Sequence, residues 1–278
     1  MKCAWEALLG ILPIWLKPEV DRQYRSTLQE IRLRLDYPVQ LCTQSGNVWL
    51  TKSPKKEDLQ LILSMASKYS PWSAGTTKDG YLTSLGGHRI GICGECVNQK
   101  GEMSGFRTIT SLCIRVARDF TGISPNKREL GGSILVIGPP GSGKTTLLRD
   151  MLRTVADEYG AVTVVDERGE LFPLQGNFSM GKQMDVLTGC TKPHGIEIAL
   201  KTMNPGYIGV DEITSYADCV ALEQIAWCGV KVMATAHAHS RQDLLSRKVY
   251  QPLMEKQIFD EIYVLRKDKT WHRERGRL

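Results

Sequence analysis

The sequence predicts an α/β protein in two parts: a mixed α+β domain over residues 1–121, then a domain over residues 122–278 built on a mainly parallel sheet. Three observations carry this. A turn-rich stretch over residues 121–132, with Gly122, Pro125, Asn126 and the pair Gly131 and Gly132, punctuates the chain. Before it, alternating apolar runs are mixed with one clear helical period. After it, short continuous apolar runs are separated by helical stretches, the pattern of parallel strands covered on both faces.

The elements follow in order. Lys2 precedes an apolar stretch over residues 4–16 that Glu6 and Pro13 interrupt. It is too short to span a bilayer and no small-residue cleavage site follows, so it is read as an amphipathic helix, packed on the domain or on a partner. Residues 30–42 alternate like a strand, break at Asp36, Tyr37 and Pro38, and resume; Ser45, Gly46 and Asn47 turn the chain into a return strand over 48–51. Leu59, Ile62, Leu63 and Ala66 give a helix over 57–69. Residues 81–97 read as a hairpin with turn signals at Gly86 and Gly87, and residues 107–117 fit either strand or helix. In the second part, strands are predicted over 133–137, 161–165, 207–210, 231–236 and 261–266, with a helix over 145–159.

With 278 residues, 42% hydrophobic and 24% charged, the chain has the composition of a soluble globular protein. A net charge of +6 permits contact with nucleic acid or anionic lipid without demanding it. The eight cysteines, among them Cys42, Cys113, Cys190, Cys219 and Cys228, are scattered through core-like segments, which suits a reducing interior better than a disulfide scaffold. No segment could cross a membrane, so the expected place is the cytoplasm.

The run Gly138, Pro139, Pro140, Gly141, Ser142, Gly143, Lys144, Thr145, Thr146 follows a predicted strand and opens a predicted helix. That is the context a phosphate-binding loop requires. Glycines let backbone N–H groups surround the phosphates, and the helix N-terminus adds positive potential. Lys144 would reach the β- and γ-phosphates of ATP, and Thr145 would place its hydroxyl on Mg²⁺. A hydrolase also needs a carboxylate near the metal and a base for water. Two strand ends offer Asp-Glu pairs, Asp166 with Glu167 and Asp211 with Glu212. P-loop ATPases that use a glutamate place an extra strand between the loop strand and the acidic strand, which assigns Asp211 to Mg²⁺ and Glu212 as base. Asp166 and Glu167 would help to position water or metal. Thr235 and His237 alternate onto one side at the end of the fourth strand, where a polar residue would sense the γ-phosphate.

Other features weigh less. Cys93 and Cys96 form a single CxxC, and His88 would bring the set to three ligands; a turn at a hairpin end is the stronger reading. Arg266, Lys267, Lys269, Arg273, Arg275 and Arg277, with Trp271 and His272 among them, could track a nucleic-acid backbone, but a frayed solvated tail is the default.

Several blocks coincide with one family. EIRLRLDYPVQL from Glu30, HRIGICGECV from His88, GEMSGFRTITSLCIRVAR from Gly101, GPPGSGKTTLLRD from Gly138 and VVDERGEL from Val164 resemble the stage III sporulation protein AA family over essentially the whole chain. That family is similar to the hexameric ATPases of type II and type IV secretion and pilus retraction. The resemblance implies a RecA-like P-loop NTPase domain, with an acidic box at Asp166 and Glu167, a Walker B segment ending at Glu212 and a histidine box from Thr235 to His237. It further implies a hexameric ring of identical chains in an endospore-forming bacterium, working at the inner face of the membrane on embedded channel proteins that link mother cell and forespore. In the similar motors the N-terminal unit packs over the next subunit's nucleotide, where an arginine could be donated to the neighbour's site; Arg89, Arg107, Arg115 and Arg118 qualify, Arg107 first because Gly105 and Thr108 suggest an exposed turn.

Two departures stand out: the chain ends soon after the histidine box, so the helical C-terminal part of those motors is expected to be missing or reduced, and Met203, Asn204, Pro205 and Gly206 lack the acid that usually follows the proline. The alternatives are an ATPase acting on nucleic acid, weakened by the lack of an appended module, and a non-hydrolysing nucleotide switch that scaffolds a membrane complex, weakened by Glu212 beside Asp211.

Overall fold

Alternating and continuous apolar patterns sort into two different sheets. The structure, a computed structural model, describes residues 1–67, 80–99, 102–173, 176 and 178–276. Contacts divide the chain into two units, Met1–Asp119 with Pro173–Asn177, and Phe120–Phe172 with Phe178–Leu278.

The first unit is an antiparallel sheet in the order β3-β2-β1-β6-β5-β4, from β1 (Leu28–Arg34), β2 (Tyr37–Thr43), β3 (Gly46–Trp49), β4 (Tyr81–Thr83), β5 (Arg89–Gln99) and β6 (Glu102–Arg115). The first hairpin turns at Leu35 and Asp36, so Tyr37 and Pro38 open β2 rather than break it; Asp36 takes the left-handed φ of 63° that such a tight turn requires. The segment that fitted strand or helix is strand β6, paired along its length with β5 and at its end with β1. There Leu112 and Ile114 point into the core. The helix Lys56–Ser67 lies where its period placed it; residues 68 and 69, its expected end, are outside the described residues.

The N-terminal apolar stretch is shorter than expected as a helix, Trp5–Ile11, because Pro13 cannot continue it. Trp5, Leu8, Ile11, Leu12 and Leu16 are buried in this unit's own core, which decides for packing on the domain.

Two local expectations fail here. Cys93 and Cys96 lie within β5 at irregularities of its register, not at a hairpin end. Gly94 between them sits so close to β6 that an added Cβ would fall 1.9 Å from the Thr108 carbonyl oxygen. Arg107 lies on β6 rather than in a turn, although its side chain is exposed.

The second unit has the sheet order β13-β12-β7-β11-β10-β8-β9: β7 (Ile134–Ile137), β8 (Val162–Asp166), β9 (Met184–Thr188), β10 (Tyr207–Ile213), β11 (Lys231–Ala236), β12 (Glu261–Leu265) and β13 (Trp271–Arg275). All pairs are parallel except β12 with β13. The α/β expectation, with a RecA-like second domain, is thus met. Along β7, Ile134 and Val136 join one core with Leu148, Met151, Leu152 and Val155 of the helix Lys144–Glu158. Leu135 and Ile137 join the opposite core, with Ile196 of the helix Lys192–Thr202 and Leu222 and Ile225 of the helix Tyr216–Trp227. Two-sided burial is why these strands read as unbroken apolar runs.

Strands β9 and β13 were not foreseen: β13 is a polar edge strand, and β9 a short edge strand whose apolar run is broken by Asp185. The basic terminus is not frayed over residues 271–275. It pairs with β12, its Trp271 ring lies 5.3 Å from that of Tyr263, and Arg273 lies 3.5 Å from Glu129. Arg277 is outside the described residues.

Candidate active site

The strand order separates the two acidic pairs. β11 lies between β7, which leads into the glycine loop, and β10, which carries Asp211 and Glu212. This is the inserted strand that the assignment to Asp211 and Glu212 presupposed.

Between Ile137 and the helix that starts at Lys144, Gly141 and Gly143 take left-handed φ values of 74° and 96°. Gly138 has no room for a side chain, since a Cβ would fall 2.7 Å from Ser142 Oγ and 2.8 Å from the Leu265 carbonyl oxygen. Ser142 Oγ is buried without a hydrogen-bond partner among the described residues. A buried hydroxyl without a partner is costly, and this one is packed beneath the loop against Gly138.

Lys144 is buried, and its Nζ donates to the Pro139 carbonyl oxygen at 3.1 Å and meets His237 Nδ1 at 3.1 Å. Burial pushes the ammonium below the ordinary lysine value, against the pull of the Asp211 and Glu212 charges. Asp211 is held from both sides: Thr145 Oγ1 donates to its Oδ2 at 2.8 Å and Thr235 Oγ1 to its Oδ1 at 2.5 Å. The Thr235 hydroxyl also accepts from the Glu212 amide at 2.8 Å, which pins a backbone at the unusual φ of 54°. Thr235, expected as a γ-phosphate sensor, here ties Asp211 to Glu212. The Glu212 carboxylate is engaged at both oxygens, by His237 Nε2 at 3.0 Å and Arg168 Nη1 at 3.0 Å.

The other pair is used differently. Asp166 is fully buried and accepts the backbone amides of Glu170, Leu171 and Phe172 at 2.9, 2.9 and 2.8 Å. Burial holds its carboxyl up at about 6, opposed by the Phe172 and Leu171 amides. With three amides bound and almost no exposed surface, its carboxylate anchors the following turn, unlike that of Asp211, which meets the loop residue Thr145. Glu167 pairs with Lys192 at 2.6 Å, and Lys192 is buried and also lies 3.9 Å from Asp218. Both Lys192 and Arg168 escaped the sequence reading. The signal available was an arginine beside an acidic strand end and a lysine opening a helix.

Thr145 and Asp211 supply hard oxygen ligands of the kind Mg²⁺ takes, and Glu212 supplies a carboxylate that could accept a proton. In the first unit, His88 is buried and engaged by the Ala4 carbonyl oxygen at 3.0 Å and the Ala117 amide at 3.1 Å. It is therefore not a partner of Cys93 and Cys96. Among the described residues, no three His, Cys, Asp or Glu side chains gather as a metal site.

Of the arginines expected to act on a neighbour, Arg107 pairs with Glu95 at 2.7 Å and Arg115 with Glu30 at 3.5 Å. Arg118 donates to the Leu28 and Arg25 carbonyl oxygens, and Arg89 lies over the Tyr81 ring. No helix among the described residues is long and apolar enough to cross a membrane.

A model of the family described as sporulation stage III, protein AA matches residues 11–277. The chain belongs to this family. It is 35% identical over 265 residues to stage III sporulation protein AA of Bacillus subtilis (strain 168), which covers 90% of this chain and 86% of the relative. The fold is shared with the pilus retraction motor PilT, solved with bound ADP, at a TM-score of 0.59 and 17% identity over 91% of this chain and 78% of that one. It is also shared with the ATPase DotB of Legionella pneumophila, at a TM-score of 0.55 and 14% identity over 95% and 80%. At these identities the two solved structures speak for the fold alone.

Proposed function

We propose that this protein binds Mg-ATP at the loop from Gly138 to Thr146 and hydrolyses it, as a ring-forming motor that serves a membrane channel complex of sporulation. The observation that carries the reading is the contact of Thr145 with Asp211 at 2.8 Å, which joins the glycine loop to the acidic end of β10, beyond the inserted strand β11. In this reading the loop amides and Lys144 hold the phosphates, Lys144 exchanging its bond to the Pro139 carbonyl for phosphate oxygen. Thr145 and Asp211 hold Mg²⁺, which neutralises charge on the phosphate oxygens when bound. Glu212 takes the proton of the attacking water, and His237 orients it from the Lys144 side.

The family name supports sporulation, and a fold shared with a pilus retraction motor suits mechanical work; the hexameric ring of identical chains is carried over from the resemblance read in the sequence. Arg107, exposed on the first unit, is the leading residue to complete a neighbour's site. The test is ATP turnover per chain measured against protein concentration, with mass determined on the same samples. Turnover is expected to rise as chains assemble. Full turnover in a strictly monomeric sample would remove the ring, and no turnover at any concentration would remove the ATPase.

A further inference from the structure

Resting on that reading, a question is left at the γ-phosphate: which cation of the chain's own nucleotide-binding unit meets it besides Lys144. A continuous polar chain runs from Lys144 Nζ through the His237 ring to the Glu212 carboxylate, and Arg168 closes it at 3.0 Å. We propose that Arg168 is a cis-acting arginine of this site, which exchanges its bond to Glu212 for the γ-phosphate of ATP and so both reports the third phosphate and frees the base.

Four observations point there. Arg168 stands on a turn that is fixed as backbone: Gly169 takes a φ of 64° and donates to the Asp166 carbonyl oxygen at 3.2 Å, and the Asp166 carboxylate binds the next three amides. The base of the side chain is thus held by the turn, while its end, 49% exposed, reaches Glu212 at the surface of the cleft. Its ion pair with Glu212 is of the half-exposed kind that contributes little and exchanges cheaply.

The neighbouring cations are committed elsewhere. Arg149 donates to the Leu171 and Glu170 carbonyl oxygens, Arg153 is bound to Asp150, and Lys192 is buried against Glu167. Finally, the chemistry fits. A guanidinium that matches a carboxylate also matches two phosphate oxygens, and its arrival at developing negative charge is the usual use of an arginine in phosphoryl transfer.

The experiment is equilibrium binding of ATP and of ADP, each with Mg²⁺, to the full chain carrying Glu212→Gln. That background blocks turnover and removes the charge partner of Arg168, so a purely structural role through the ion pair is already gone. Adding Arg168→Ala is expected to weaken ATP by about tenfold or more, the worth of a charge-assisted contact, while ADP changes by less than about twofold. Arg168→Gln, which keeps a polar chain, is expected to repeat this, and Arg168→Lys to restore part of the loss. If ATP and ADP weaken together, or neither changes, the assignment is overturned. If the Glu212→Gln chain binds neither nucleotide, the phosphate-loop reading itself falls, and the assignment with it.

Discussion

His237 donates from Nε2 to Glu212 Oε1 at 3.0 Å because its other nitrogen is taken: Nδ1 faces the Lys144 ammonium at 3.1 Å and can only accept. The phosphate-loop lysine therefore sets the tautomer of the ring that holds the proposed base. Any change at Lys144 is felt at Glu212 through one side chain.

Glu212→Gln is expected to keep ATP binding and to lose turnover by about 10²–10⁴-fold, the usual contribution of a general base. Glu167→Gln should lose less, since Glu167 is spent on Lys192 at 2.6 Å. Steady-state rates of the two variants, with ATP affinity measured in each, decide the point. The reverse order would move the base to the acidic box.

Thr145→Val removes the hydroxyl that donates to Asp211 at 2.8 Å and would ligate Mg²⁺. Turnover titrated with Mg²⁺ at fixed ATP should need more metal for half-saturation, by about tenfold for one lost ligand contact. An unchanged titration curve would take Thr145 out of the metal set.

Arg107→Ala should leave the fold intact, because its pair with Glu95 is exposed on both sides and such pairs contribute about 0–1 kcal/mol. If Arg107 completes a neighbour's site, the variant loses turnover, and mixing it with Glu212→Gln chains restores part of it. Mixed samples no more active than the sum of the two preparations would dismiss Arg107.

His88 offers a pH test of the first unit. Burial lowers its basicity, helped by the Arg118 charge and opposed by the bond to Ala4. The folded value lies below the unfolded one, so the unfolded chain binds the extra proton first. This contribution to stability is full above the ordinary histidine range near 6.5 and is lost as pH falls below it. Urea midpoints of the wild type should drop from pH 7.5 to pH 5.5 by more than those of His88→Gln. Parallel drops would show that His88 does not titrate in this window.

Gly209→Ala should destabilise the second unit by about 1–3 kcal/mol, as overpacking does. A Cβ at Gly209 would meet Leu152 Cδ2 at 2.6 Å and Cδ1 at 2.7 Å, so the Leu152 side chain must repack in the core between the sheet and the helix Lys144–Glu158. A thermal midpoint equal to that of the wild type would mean that Leu152 finds another rotamer at no cost.

Sequence alone determined the elements whose chemistry is local. A glycine loop between an apolar strand and a helix can be read because strand, turn and helix are contiguous in the chain, and the same holds for the buried strands and for the acidic pairs that end two of them. Strand β13 escaped because an edge strand needs only a neighbour's backbone, which leaves little apolar mark in its own side chains, and β9 because its apolar residues Met184, Val186 and Leu187 make too short and broken a run to read as a strand. Which acidic pair faces the loop depends on strand order, and that is decided only when β11 inserts between β7 and β10. Tertiary structure likewise turned Asp166 inward onto three amides, set Arg168 against Glu212 and placed His237 between Lys144 and Glu212. The Asp166 turn closes within six residues, but the Arg168 and His237 contacts join residues distant in the chain, and no local spacing encodes them.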